Sequence, residues 1–593
     1  MTGYVCIAQQ LTGVVKDGLN NESIPGAKIE LKELGVATFT DVNGRFKLEG
    51  NWPDEFMLQV SAMTYESKTI ALSCCDSINL TLSPDPHDMD EVMVRVELRE
   101  LQGSMTQKTD YMKLDKLDVI TPLSISSALT QIDGVQMASY GPLNSKPVIR
   151  GMQGMRVVTF LNGMRINNQQ WGGDHGLGIS QVGMESAEVI KGPMSLIYTG
   201  DATGGLLYIK DGSFAPQNAY SIQMNTQFES VNKGSQNSLV YKVSGKKFRM
   251  SAAGIFSSYA DYAYPDGGYL SDSRMQDYGG KFKLGYNSGK WNIELNYLYS
   301  NSRVGIPGHT HDSLATPTSF LVEDQDRGFS LPHQKIQNHF ANIKASYFMN
   351  SKNKMEFYLN HGYNNLKEFE EKIFTPGIDM YLNASSFQVR HHWNPNKNLQ
   401  VLSGIQASAQ SNNNGIKAEE RLIDDSDQYD VGLYSSLSYD FGGLKFNTVI
   451  RLDQRAVRSS NFNNDYPNIN ASIGIRKEWK AQTRQDLAFH ISSGTRAPHL
   501  SELLSDGIHH GAVRYILGDP SLVSERFVQL DLNYEISNEH VSLILNPYWT
   551  IANNYIQLAE LDSVIDGLAV YEYQSMDLAL LYGIEARLHY HPH

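Results

Sequence analysis

Residues 148–210 place three short apolar runs between glycine-rich turns, and this stretch constrains the fold more than any other part of the sequence. The apolar runs are residues 157–161, 186–190 and 206–209. Glycine suits such turns because it tolerates a positive φ and lets two backbone segments approach closely. A compact globule with so many turns and so little apolar mass is typical of a domain that is held inside a larger scaffold.

Several short motifs follow one another in this stretch, and together they resemble the plug domain of TonB-dependent outer-membrane receptors. They include Leu161-Asn162-Gly163, Glu188-Val189-Ile190 and Tyr198. The resemblance implies an α+β plug over residues 101–212, inside a transmembrane barrel. The residues that we assign to the plug motif are Arg150, Gly151, Gly163, Glu188, Lys191, Gly192, Pro193, Gly204 and Gly205. Nearer the start of the plug, Ser124 is expected to cap a short helix that runs through Gln131.

Length and composition exclude several classes of protein. The 593 residues contain no apolar run near the ~18 residues that a membrane helix needs. The net charge of −14 argues against nucleic acid as a partner, because binding phosphates needs a basic face. Cys6, Cys74 and Cys75 give neither a disulfide framework nor a metal or redox spacing. No nucleophile–base set or phosphate loop stands out, so we expect no enzymatic activity and no required cofactor.

Residues 11–83 are predicted to form a small β-sandwich. Short alternating runs are separated by turn signals and lie at residues 12–15, 27–31, 37–40, 45–48, 56–60 and 78–82. The phrases IPGAKIEL and TFTDVNGRFKL resemble the carboxypeptidase-regulatory-like domain that often precedes plugs in Bacteroidetes receptors, a domain that is not catalytic. Residues 1–10 look like the remnant of a signal peptide that lacks its basic start; the alternative is a chain without a leader.

Residues 84–100 are predicted to form a linker and the TonB box. A polar, proline-containing segment is followed by two acidic residues and a short β-prone run: Asp90, Glu91, Val92, Met93 and Val94. Such a run suits pairing with an added strand, so the resemblance implies that TonB, with its inner-membrane motor, binds here from the periplasm. The alternative is that this run is the first edge strand of the plug.

From residue 213 to residue 593 the apolar residues recur with a period of two. The clearest case alternates with polar neighbours, except at Leu298, and comprises Trp291, Ile293, Leu295, Tyr297 and Tyr299. Such strands fit the lipid-facing wall of an antiparallel transmembrane β-barrel. A soluble propeller or stacked sandwiches would alternate similarly. The plug upstream favours the barrel, as do long polar excursions at residues 301–338 and 496–525, which suit extracellular loops.

The length of this region suggests a partial barrel. Its strand and connection lengths allow roughly fourteen to sixteen strands. The barrels of the receptor family close with about twenty-two. We therefore expect the barrel to be truncated at the C-terminus, and we expect the full protein to lie in the lipids of the bacterial outer membrane.

Histidines in the predicted loops are the candidate ligands for a transported metal. His309 and His311 lie two residues apart beside Asp312, and residues i and i+2 of an extended segment share a face. The candidate set is completed by a plug loop and by a second barrel loop: Asp174, His175, His509 and His510. The arrangement resembles zinc-uptake receptors of the family, which implies a transition metal such as zinc as the substrate.

Three other substrates remain open. Residues 495–498 and 518–522 are similar to the paired boxes of haem receptors, and His509 and His510 lie between them, where an axial ligand would sit. A ferric siderophore would use the tyrosines of one predicted loop, which are Tyr259, Tyr262, Tyr264 and Tyr269. A SusC-like glycan importer has the same domain order at its N-terminus but is normally much longer.

Overall fold

A computed structural model describes most of the chain, which divides into two compact units, residues 1–100 and 101–593. The described residues are 9–17, 23–24, 27–31, 36–41, 43–50, 53, 55–62, 68–73, 78–82, 109–114, 124–139, 145–168, 176, 178–307, 316–350, 352–396, 398–480, 483–509, 514–538 and 540–590. The TonB-box residues 90–94 and most of the candidate metal ligands lie outside these ranges.

The first unit is the predicted β-sandwich. Its strands are β1 (Gln9–Asp17), β2 (Lys28–Leu31), β3 (Val36–Phe39), β4 (Arg45–Gly50), β5 (Glu55–Ser61), β6 (Lys68–Ser73) and β7 (Ile78–Leu82). One sheet has the order β4-β1-β7 and the other β3-β2-β5-β6. Both sheets contribute to one apolar core, which includes Val15, Ile29, Phe46 and Leu58. All six predicted strands are confirmed, and β6 is an addition that the sequence pattern did not indicate.

The plug follows in the second unit. Its elements are β8 (Asp110–Lys113), α1 (Ile125–Leu129), β9 (Val135–Ser139), β10 (Ser145–Ile149), β11 (Val157–Leu161), β12 (Met164–Arg165), β13 (Met184–Ile190) and β14 (Gly205–Asp211). The main sheet has the order β12-β11-β14-β13-β8, so that β8 is an edge strand. Ser124 caps α1 as predicted, although the helix ends at Leu129, two residues before Gln131. The three predicted apolar runs are β11, β13 and β14.

Most of the remaining chain forms one large antiparallel sheet. The strands from here to the C-terminus are β15 (Tyr220–Glu229), β16 (Gly234–Ser244), β17 (Phe248–Tyr259), β18 (Tyr262–Ala263), β19 (Tyr269–Leu270), β20 (Met275–Ser288), β21 (Trp291–Gly305), β22 (Leu321–Val322), β23 (His333–Asn350), β24 (Asn353–Phe369), β25 (Ile378–Trp393), β26 (Leu399–Asn414), β27 (Ser426–Asp440), β28 (Leu444–Ser459), β29 (Asn463–Lys480), β30 (Arg484–Arg496), β31 (Asp506–His509), β32 (Arg514–Leu517), β33 (Glu525–Ser537), β34 (Val541–Ile565) and β35 (Leu568–Tyr590). A short helix, α2 (Leu500–Leu504), precedes β31.

Sixteen of these strands form the wall, in line with the number that the sequence predicts, and each pairs with the next wall strand along the chain. Strands β31 and β32 also join the sheet, as a hairpin in the connection between β30 and β33. In the part of the chain that the structure describes, no pairing joins β15 to β35. The expectation of further strands beyond residue 593 stays a prediction.

The two ends of the wall differ in their connections. At one end, which we call the turn end, successive strands are joined by turns of two to five residues. At the opposite end, the loop end, lie the three longest connections, residues 260–274, 306–332 and 497–524. The predicted alternation of long excursions and tight turns is therefore confirmed. The flanking strands reach five or six residues further than predicted into the first excursion, and one residue further at each end of the second.

Side chains of the wall alternate between an apolar outer face and a polar inner face. In β21, Leu295 and Tyr297 are 38 % exposed, whereas Asn296 between them is 5 % exposed. The one exception in the sequence pattern, Leu298, faces inward and belongs to the apolar core of the plug, together with Val182. No helix in the described part of the chain is long and apolar enough to cross a membrane.

Candidate functional site

The plug meets the inner face of the wall through buried charged side chains, and we treat this interface as the candidate site. One group of four, which we call the clamp, consists of Arg150 and Lys191 from the plug and Asp531 and Glu585 from the wall. Arg150 forms an ion pair with Asp531, and its Nε donates to Glu585 Oε1 at 3.0 Å. Lys191 Nζ lies 3.2 Å from Glu585 Oε2. All four side chains are at most 13 % exposed.

The backbone conformation at and beside Arg150 and Lys191 orients these two side chains of the clamp. Arg150 has a φ of 51° and Gly151 a φ of 79°, so the chain reverses immediately after β10. Lys191 follows β13 directly and precedes Gly192, which has a φ of 78°. A positive φ suits glycine and is unfavourable for other residues, so Arg150 is held in a strained conformation that its ion pairs stabilise.

The electrostatics of the clamp favour the charged form of Arg150. Burial alone would lower the pKa of Arg150, but Asp531 and Glu585 raise that pKa above its ordinary value. The Arg150 guanidinium also lies 4.2 Å from the ring centroid of Tyr548, which adds a cation–π contact. Two cations and two anions therefore compensate one another in a place where an unpaired charge would be costly.

The clamp is also connected to the first strand of the plug. Lys191 Nζ lies 3.0 Å from Asp110 Oδ2, at the start of β8. A peripheral ion pair, Arg587 Nε to Asp133 Oδ2 at 2.7 Å, joins the same wall strand, β35, to the segment after α1. The edge strand β8 and the plug–wall ion pairs are thus linked by direct contacts.

A second charged group lies nearer the loop end. Arg156 of the plug forms an ion pair with Glu525, which also pairs with Arg496. Arg496 in turn contacts Glu502 of α2 at 2.8 Å. Glu525 is fully buried and Arg496 is 1 % exposed. Gly204 is needed beside this group, because a Cβ atom there would lie 2.8 Å from Met152 Cβ.

A third group borders a cavity of about 680 Å³ between plug and wall, counted with its solvent-open part, which we call the charged cleft. Asp201 of the plug accepts from Arg165 at 2.7 Å and from wall residue Arg455 at 2.6 Å. Arg455 also pairs with Asp430 at 2.6 Å. Burial opposes ionisation of Asp201, but the two guanidiniums outweigh it and hold its pKa well below the usual range.

An aromatic contact fixes the plug on a further part of the wall. Tyr198 belongs to a cluster with Phe160 and Tyr208 of the plug. The Arg390 guanidinium of β25 lies 5.1 Å from the ring centroid of Tyr198. Wall residue Tyr434 packs in the same cluster, and its hydroxyl accepts from Arg390 Nε at 3.1 Å. This contact combines apolar burial with a cation–π interaction.

The remaining plug-motif residues have local structural roles. Glu188 is 2 % exposed and accepts from Lys210 at 3.1 Å. Gly163, with a φ of 89°, follows Asn162 in the tight turn between β11 and β12. Gly205 has a φ of 130° at the start of β14. Pro193 begins a short 3₁₀ helix, Pro193–Ile197.

Most of the candidate metal ligands lie outside the described residues. These are Asp174, His175, His309, His311, Asp312 and His510, and their grouping stays a prediction. His509 ends β31, opposite Arg514 of β32. Among the residues that the structure describes, no group of three or more His, Cys, Asp or Glu side chains is arranged to hold a metal ion.

Residues that resemble haem-receptor boxes have structural roles in the described part of the chain. Arg496 of the first box is part of the buried charged group, and Ala497 packs in an apolar cluster with Leu503. Gly518 of the second box packs so closely on α2 that a Cβ atom would lie 2.7 Å from Leu503 C. The Asp519 N–H donates to Glu502 O at 2.9 Å.

The four tyrosines proposed for siderophore contact differ in their exposure. Tyr259 is 2 % exposed and packs with Met275 and Val304. Tyr262 and Tyr269 belong to the small hairpin of β18 and β19, and Tyr264 is 37 % exposed. Packing within the wall and the loop therefore accounts for much of this cluster.

Wall residues of the interface were missed by sequence reasoning. They are Arg390, Asp430, Arg455, Glu525, Asp531 and Glu585. A usable signal was the phase of alternation: Asp531 lies between Leu530 and Leu532, so a strand with its leucines facing lipid turns this carboxylate inward. No local sequence pattern identifies the plug residue that pairs with each of these wall charges.

Comparison with known proteins decides the family. Residues 11–94 match the family model of the CarboxypepD_reg-like domain and residues 101–206 that of the TonB-dependent Receptor Plug Domain. Residues 211–591 match the TonB dependent receptor-like β-barrel. The chain belongs to the TonB-dependent receptors. The resemblance seen in the sequence is confirmed for all three domains, and the receptor is a protein of the bacterial outer membrane.

Individual relatives of the receptor are distant. It is 22 % identical over 459 residues to the vitamin B12 transporter BtuB of Photobacterium profundum, a match that covers 75 % of this chain and 66 % of that protein. The chain thus spans slightly less than two thirds of that relative. The solved copper transporter OprC has a TM-score of 0.68 at 14 % identity, with 81 % of this chain and 76 % of that chain covered.

Another solved relative is the hemophore receptor HasR of Serratia marcescens, a double mutant in complex with its hemophore HasA and heme. The TM-score is 0.66 at 14 % identity, with 82 % of this chain and 80 % of that chain covered. At such identities these two structures show a shared fold. The substrates named for them belong to those proteins.

Removing a cation from the clamp should loosen the plug. Arg150→Ala leaves Asp531 and Glu585 short of a buried partner, which costs about 3–5 kcal/mol. We expect the plug of the solubilised receptor to become protease-sensitive at a lower urea concentration. Arg458→Ala is the matched control, because its pair with Asp465 is exposed and contributes about 0–1 kcal/mol. Equal urea dependence of the two variants would contradict a stabilising clamp.

Acidification should weaken the same interface through His499, at the start of α2. Burial and the guanidiniums of Arg455, Arg165 and Arg496 hold its pKa well below the usual range, with Asp201 acting in the opposite direction. His499 is therefore neutral when folded and takes up a proton only on unfolding. Its contribution is fully present above the unfolded pKa of about 6.5 and declines as the pH falls below it.

We expect the melting temperature to fall between pH 7 and pH 5, and to fall less steeply in His499→Gln. The control is His540→Gln, in an exposed turn between β33 and β34. A pH profile that is the same in the His499 variant and the unmodified receptor would exclude this histidine as the cause.

Proposed function

We propose that this receptor imports a scarce small nutrient across the outer membrane with energy supplied through TonB. The observation that carries the proposal is a plug held against the inner face of a barrel wall by buried ion pairs. Such a plug blocks the barrel at rest, and breaking a limited number of its contacts would displace it. The proposal assigns transport to the chain and no catalysis.

The structure suggests how force would reach the clamp. The proposed TonB box, residues 90–94, precedes β8 in the chain. Strand β8 is the edge strand of the plug sheet, pairs with β13 over four residues and begins at Asp110, which contacts Lys191. In this mechanism, tension on the preceding segment removes β8 from the sheet, deprives Lys191 of one partner and weakens the clamp.

For the substrate, we propose a transition-metal ion, with zinc first. The support is the His309-Thr310-His311-Asp312 sequence in the connection between β21 and β23 at the loop end, and Asp174 and His175 in the plug. Neutral imidazole and carboxylate are suitable ligands for zinc. Bound metal would be released toward the periplasm when the plug moves.

A corrinoid is the second candidate. The match to the vitamin B12 transporter spans 459 residues, more than the 212 that precede the barrel, and so includes part of the barrel. Haem is the third candidate, because Arg496, Ala497 and Gly518, which belong to the motifs that resemble haem-receptor boxes, also have packing and ion-pairing roles.

A proline at Met93 tests the role of the TonB box. Proline has no N–H to donate to an added strand, so Met93→Pro should abolish energy-dependent uptake in cells and leave substrate binding to purified receptor unchanged. Met93→Ala is the matched control and should retain uptake. Full uptake by the proline variant would remove residues 90–94 from the mechanism.

Calorimetric titration of the purified receptor tests the substrate. With zinc chloride we expect saturable binding, and a His309→Ala/His311→Ala variant should bind zinc at least about tenfold more weakly. His540→Ala, in an exposed turn, should bind like the unmodified protein. Unchanged zinc affinity in the double variant would refute the metal loop, and binding of cyanocobalamin instead of zinc would favour the second candidate.

A further inference from the structure

We propose that the transported solute passes the plug along one flank, between the plug and strands β15, β16, β17, β20 and β21, through a path lined mainly by hydroxyl and amide groups. This inference rests on the proposed transport function and adds where the path runs and which solutes it suits. Two adjoining cavities define it.

The first cavity, which we call the hydroxyl cavity, has a volume of about 520 Å³ with its solvent-open part included. Serines from both plug and wall line it: Ser124, Ser126, Ser145, Ser180, Ser257 and Ser302. Asp277 is its one charged lining residue, and its carboxylate accepts from Ser302 Oγ at 2.6 Å. Ser124 Oγ and Ser145 Oγ lie 3.0 Å apart across the plug side.

The second cavity continues the first toward the turn end. It has a volume of about 1460 Å³ on the same measure and shares Gln181, Gln236 and Ile255 with the hydroxyl cavity. Ser302 lies three residues from the loop end of β21, whereas Lys242 of the second cavity lies two residues from the turn end of β16. Together the cavities therefore follow the plug through most of the depth of the wall.

Separating plug from wall costs least on this flank, because the groups that face each other here are mainly hydroxyls and amides. The charged cleft on the other flank is lined by three arginines and three aspartates, and its pairs would have to lose their partners in a buried place. Hydroxyl and amide groups on this flank instead replace their hydrogen bonds to one another by hydrogen bonds to water, and the net free-energy cost of this exchange is small. An ion pair between Asp211 and Lys281 also holds this flank, outside the serine-lined surfaces, and Ile255 packs on the apolar core of the plug at the junction of the two cavities.

The lining indicates the class of solute. Charged residues in the two cavities are Asp277, Glu185 and Lys242, which sum to a charge of −1. Serine and glutamine side chains both donate and accept hydrogen bonds, so they replace hydration water around a polar solute. The path suits a hydrophilic solute that is neutral or cationic, including a hydrated metal ion, and disfavours a polyanion.

Thiol labelling in cells tests the path. In a Cys6→Ser/Cys74→Ser/Cys75→Ser background, Ser257→Cys places a thiol in the hydroxyl cavity at a position that is 2 % exposed. The matched control is Ser492→Cys on the opposite flank, in β30, where the serine is 5 % exposed. A membrane-impermeant maleimide is applied with and without a protonophore, while zinc, haemin and cyanocobalamin are supplied in turn and their uptake is recorded.

We expect energised cells to label Ser257→Cys about tenfold faster, since an open state populated at up to ~10 % becomes the main one, with no change at Ser492→Cys. An equal or larger rise at Ser492→Cys would overturn the path. So would energised uptake without any rise at Ser257→Cys. Absence of both labelling changes and uptake would overturn the proposed transport function, and this inference with it.

Discussion

Pairing of buried charges is the constraint on which the arrangement of plug and wall depends. A wall whose outer face is apolar for lipid has a polar inner face, so apolar packing alone cannot hold a plug there. Arg150 and Lys191 are acceptable at such a surface only opposite Asp531 and Glu585, because an unpaired buried charge is costly. The clamp therefore specifies one orientation of the plug as well as stabilising it.

Much of the fold could be predicted from the sequence because it depends on local patterns. Period-two alternation predicted the outward-facing residues of β21. The one exception to that alternation, Leu298, faces inward and packs on the plug. The hydrogen-bonding side chain of Ser124 marked the start of α1. A turn was expected beside the first apolar run, and Asn162 and Gly163 in that turn both have a positive φ.

The interface could not be predicted because its partners lie far apart along the chain. Arg150 and Glu585 are 435 positions apart, and no local pattern relates them. Arg496 shows a different difficulty, because the local motif that resembles haem receptors did not indicate that this residue pairs with Glu502 and Glu525. Short motifs that combine arginine, proline and glycine are weak guides to a ligand when the same residues also stabilise a loop.

This separation along the chain has a consequence for the order of folding. Each wall strand pairs with its neighbour in the sequence, so the wall can grow through local contacts, which form fast. Glu585 lies in β35, 435 positions after Arg150, so the clamp can close only after the strands between these two residues have been added to the wall. Until then Arg150 lacks its carboxylates, so the clamp fixes the plug only after β33 and β35 have joined the wall.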